Sequence, residues 1–152
     1  MNRFLKLGVL VIAVCFFLTG CGEKNLEGDL SSIMDKVYAG VDAEMPNLAK
    51  TEVTADNVEY FLGTSDIDFK EALASEPMIT SIAHSVVLVR MNEGADIETA
   101  KTKIKESVNP AKWLCVQVEE KDVIVDSRGD MIILIMVNDY STDFQNSFQN
   151  LE

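Results

Sequence analysis

The apolar positions of the chain repeat with two different periods, and the changes between them mark its elements. Asp29 can cap a helix that sets Leu30, Ile33, Met34 and Val37 on one face, with Gly40 as its stop. Residues 41–53 contain Pro46 and no sustained period, and read as a loop. Thr54 opens a second short helix with Val58, Phe61 and Leu62 inward, ended by Gly63. From Ile67 the period becomes two, through Phe69, Glu71 and Leu73, until Pro77 interrupts it, which predicts a strand. Ser81 to Met91 holds Val86-Val87-Leu88-Val89, apolar on both sides, as in a strand that is central or covered on both faces.

After the turn Asn92-Glu93-Gly94, Asp96 caps a helix bearing Ile97, Ala100, Ile104 and Val108, closed by Asn109-Pro110. Trp113 to Val118, Asp122 to Asp126 and Met131 to Val137 predict three strands in a meander. The last two are joined by the tight turn Ser127-Arg128-Gly129-Asp130. Phe144, Phe148 and Leu151 define a terminal helix. The order of helices and strands predicts an α+β fold: an antiparallel sheet of about five strands with helices packed mainly on one face. Residues 30–152 form one domain in this reading, without a repeat.

The beginning of the chain follows neither period. Arg3 and Lys6 precede an apolar run from Leu7 to Leu18, which spans roughly 18 Å as a helix, short of the ~30 Å core of a bilayer. Residues 1–20 therefore read as a signal peptide rather than a stable spanning helix. The run ends in Leu18-Thr19-Gly20-Cys21, which resembles the bacterial lipobox at all four positions. The chemistry requires the Cys21 thiol as the nucleophile that takes a lipid through a thioether, and small residues before it for the peptidase. Cys21 is thus the expected lipidation site and new N-terminus, and residues 21–29 the lipidated tether to the fold. Two or more chains on one cysteine give durable anchoring where a single acyl chain gives little.

Charge and cysteine content sharpen this picture. The chain has 13 basic and 25 acidic side chains; removing Arg3 and Lys6 with the signal leaves 11 − 25 = −14. That excess makes nucleic acid an improbable partner, and Lys101, Lys103, Lys105 and Lys112 read as solvated helix and loop lysines. An apolar content of 47% excludes disordered and collagen-like classes. Of three cysteines, Cys15 leaves with the signal and Cys21 carries lipid, so Cys115 has no partner for a disulfide and is expected to be a buried, inert thiol.

Candidate chemistry is thin. His84 is the one histidine; in a strand its neighbour Ser85 points to the opposite face, so a structural role is expected. Glu119, Glu120, Asp122 and Asp126 offer oxygens, but their spacing does not match the calcium loop of alternating acids with a central glycine. Arg128-Gly129-Asp130 is explained by its turn. No glycine-rich phosphate loop occurs, and no cofactor or metal site is expected.

The lipobox, the helix ending Asp35-Lys36-Val37-Tyr38, the strand Ser85 to Arg90, the helix from Asp96 and the apolar strand Met131 to Val137 together carry a resemblance. Over roughly residues 30–151 the chain resembles the small Gram-positive lipoproteins grouped as domain-of-unknown-function family 4358. The resemblance implies an exported, lipid-anchored α+β domain and brings no activity and no functional residues with it. The expected role is a non-catalytic binding or assembly module on the extracytoplasmic face of the cell membrane. It would be held by membrane lipid through Cys21 and would engage an envelope protein or ligand. The alternatives are an envelope hydrolase or metal-assisted enzyme using Glu119, Asp122 and Asp126 with His84, and a small-molecule-binding envelope protein.

Overall fold

The computed structural model describes residues 24–152. In chain order these form α1 (Leu30–Ala39), β1 (Leu48–Glu52), α2 (Val58–Leu62), β2 (Phe69–Pro77), β3 (His84–Met91), α3 (Ile97–Ser107), a 3-10 turn (Glu120–Asp122), β4 (Val123–Arg128), β5 (Met131–Val137) and α4 (Ser141–Gln149). The strands make one five-stranded sheet in the order β1-β2-β3-β5-β4, and every neighbouring pair is antiparallel. The α+β class and the antiparallel sheet are as the sequence predicts.

The helices are divided differently from the expectation. They lie two on each face rather than mainly on one, because β3 and β5 are apolar along both sides and need cover on both. On one face Val87, Val89, Ile132, Leu134 and Met136 pack with α2 and with Ala100 and Ile104 of α3. On the other, Val86, Leu88, Ile133, Ile135 and Val137 meet α1 and Phe144 and Phe148 of α4. Both long helices start on the predicted aspartate: Asp29 Oδ1 accepts from the Ser32 amide at 2.9 Å and Asp96 Oδ1 from the Thr99 amide at 3.0 Å. These backbone N–H groups stabilise the ionised carboxylates, holding both below the usual aspartate range.

Two further differences concern strands. The segment 41–53 read as a loop contains β1, an edge strand with only Leu48 partly covered, so no alternation could reveal it. Conversely, Trp113 to Val118 is not a strand. Trp113 and Val118 are buried and alternate with exposed Leu114 and Gln117, but the backbone bonds go to loops: the Leu114 amide to Thr80 O at 2.9 Å and the Val118 amide to Pro110 O at 2.8 Å. The alternation there reports burial across the end of the sheet without a ladder. At its centre Cys115 takes a left-handed φ of 62° and is exposed, which corrects the expectation of a buried thiol. The hairpin turn is as predicted, with Gly129 at φ 59°.

Residues 24–29, read as tether, lie along the domain. Leu26 is buried in the α1–α4 core, its carbonyl and that of Gly28 accept from Arg90, and Asn25 Oδ1 accepts from the Asp130 amide at 3.0 Å. The strap passes so close to Gly129 that a Cβ there would stand 2.5 Å from Asn25 Oδ1. Leu26 is the single apolar residue of a polar segment, and its burial is what turns tether into strap.

Candidate functional site

The lipobox residues Leu18, Thr19 and Gly20 and the lipidation site Cys21 lie outside the described residues. Among the described residues no helix is long and apolar enough to cross a membrane.

His84, the first residue of β3, is buried at 4% exposure, with Nε2 2.8 Å from the Tyr38 hydroxyl. Tyr38 stacks on it at 5.8 Å between ring centroids, and Phe144 meets it edge-on at 5.7 Å. Burial depresses the imidazole to about 4, so the ring is neutral at pH 7 and the pair shares one hydrogen bond whichever tautomer it adopts. Ser85 alternates to the other face and its buried hydroxyl has no partner.

The acids proposed beside His84 are held elsewhere. Asp122 Oδ1 accepts from Ser141 at 2.6 Å, Asp126 Oδ2 from Gln145 and Gln149 at 2.7 and 2.9 Å, and Glu119 pairs with Lys121 at 2.9 Å. None of them bonds to His84, and among the described residues no three acids, histidines or cysteines converge as a metal cluster. A groove of about 960 Å³ runs between the strap, α1 and the C-terminal residues. Its lining mixes Lys24, Glu27, Lys36, Arg128 and Glu152 with Leu26, Ile33 and Leu151, so it is not the mostly apolar cavity that a carrier of small apolar molecules needs.

The most distinctive surface lies at one end of the sheet. Met78, Ile79 and Leu114 are 76%, 57% and 66% exposed, and Tyr60 and Tyr140 are exposed as well. Register and chain order put these positions at the same end: Met78 and Ile79 follow β2, His84 opening β3 pairs with Val137, Tyr140 follows β5, and Leu114 is bonded to Thr80. Tyr60 reaches Glu76, next to the end of β2. Beneath them Lys112, 5% exposed, pairs with Glu76 and lies 4.4 Å from the Tyr60 ring centroid and 5.3 Å from those of Phe61 and Trp113. Burial lowers the Lys112 ammonium and Glu76 opposes that shift. This cation therefore clamps α2, the 110–118 loop and the end of β2 into one platform under the exposed residues.

Sequence reasoning did not select the five exposed residues, and it read as solvated the Lys112 that burial and Glu76 hold beneath them. The available signal was Met78-Ile79, an apolar pair directly after the Pro77 strand break, where a loop is ordinarily polar. No protein-family model, curated protein or solved structure matches the chain.

Proposed function

We propose that the chain is an exported bacterial lipoprotein, anchored through Cys21 and similar to the family 4358 lipoproteins, whose α+β domain is a non-catalytic binding module on the extracytoplasmic face of the cell membrane. One observation carries the binding role. Among the described residues the exposed large apolar side chains lie at one end of the sheet, and the strap from residue 24 is bonded to the opposite end, at Arg90 and Asp130. Large apolar side chains exposed near one another favour an interaction site over the same residues scattered singly. The eight residues of β3 set the two ends roughly 25 Å apart. Lipid on Cys21 would therefore bring the strap end to the membrane and leave the apolar end facing away from it. The enzyme alternative draws no comparable support, since His84 and the three acids each have separate partners.

The anchor is tested by replacing Cys21 with Ala and following the protein into membrane and soluble fractions. Transfer of most of the protein out of the membrane fraction is expected; unchanged retention would remove the lipoprotein reading.

A further inference from the structure

The partner's chemistry can be read from the charges around the apolar end, an inference that rests on the binding-module reading above. We propose that this end docks a protein segment presenting apolar side chains between lysines and arginines. Glu44 lies on the loop between α1 and β1, which reaches this end where Asn47 O accepts from the Met78 amide. Glu120 lies in the 3-10 turn that leads into β4, and Asp139 follows β5. All three are exposed, and none takes part in an ion pair among the described residues. The lysines at this end are already engaged, Lys112 with Glu76 and Lys121 with Glu119 and Asp122. Met78, Ile79 and Leu114 are thus set within unbalanced negative charge.

This arrangement separates the candidate occupants. An anionic bilayer surface would face the same acids and be repelled. A second copy docked end to end would bring two acidic rims together, at a cost that opposes association. A segment with apolar anchors and flanking cations satisfies both features: the anchors leave water, and the cations speed encounter and exclude acidic competitors.

The test uses the full anchored protein in its own membrane, with a photo-crosslinking amino acid at position 79 or 114, and at position 93 on the opposite end as control. Crosslinked peptides are sequenced by mass spectrometry. The expected adduct at 79 and 114 is a protein segment rich in lysine or arginine beside apolar residues, absent at 93. Its yield should fall at least tenfold when Glu44, Glu120 and Asp139 are changed to Gln or Asn, and should fall with added salt in the parent. A neutral or acidic segment at 79 and 114, or an adduct insensitive to both changes, overturns the charge inference and leaves the binding module standing. Adducts with lipid or with a second copy overturn the inference by naming another occupant. Adducts no stronger than at position 93 overturn both the inference and the binding-module reading.

Discussion

His84 shows how a residue type suited to catalysis is given a structural task by its surroundings. Its ring lies between Tyr38 and Phe144, and burial lowers its pKa from 6.5 to about 4. Between those values the unfolded chain binds the proton that the folded chain refuses. Stability from this residue is therefore complete above pH 6.5, falls as the pH drops towards 4 and levels off below it, a loss of roughly 3 kcal/mol in total. Urea denaturation at pH 7 and pH 4.5 should show most of that loss in the parent. The double variant Tyr38→Phe/His84→Leu, which removes both members of the hydrogen bond, should show a pH dependence smaller by a similar amount. Parallel profiles for the two proteins would contradict this account. β-Alternation in the sequence sets His84 and Ser85 on opposite faces, as the structure has them. It could not supply Tyr38, which lies 46 residues away in sequence.

At the scale of elements, the legible parts were those with a local cause. The caps at Asp29 and Asp96, the stop at Gly63 and the Gly129 turn each depend on a few adjacent residues and are all present. What was not legible depends on partners distant in sequence. β1 exists because β2 offers it a ladder, and 113–118 is a bent crossing because its amides and carbonyls are satisfied by Thr80, Pro110 and Asn138. The Lys112 clamp belongs to the same class, since Glu76 and the rings of Tyr60 and Phe61 come from other elements. Removing the lysine alone strands a carboxylate that is only 14% exposed. Lys112→Met is expected to destabilise the domain by about 3 kcal/mol, and adding Glu76→Gln to recover most of that loss. Chemical denaturation of the two single variants and the double variant measures the coupling; additive losses would show that the pair and its rings do not act as one unit.

The molecule as a whole has two unlike ends. At one, the strap is fastened by Leu26, by Arg90 through the Leu26 and Gly28 carbonyls, and by Asn25 at the hairpin, so only residues 22 and 23 separate Lys24 from Cys21. At the other lie Met78, Ile79 and Leu114 with their acidic surround. A long tether would randomise how the domain sits over a bilayer. Two residues and a bonded strap would instead fix the orientation, with Glu93 after β3 facing the lipid and Ile79 facing away. Depth-dependent fluorescence quenching tests this directly. In a Cys115→Ser background, a dye is placed on a cysteine at position 93 or 79 of the membrane-anchored protein, and the quencher is carried on lipid headgroups. Strong quenching is expected at 93 and almost none at 79. Equal quenching at both positions, or the reverse order, would contradict that orientation.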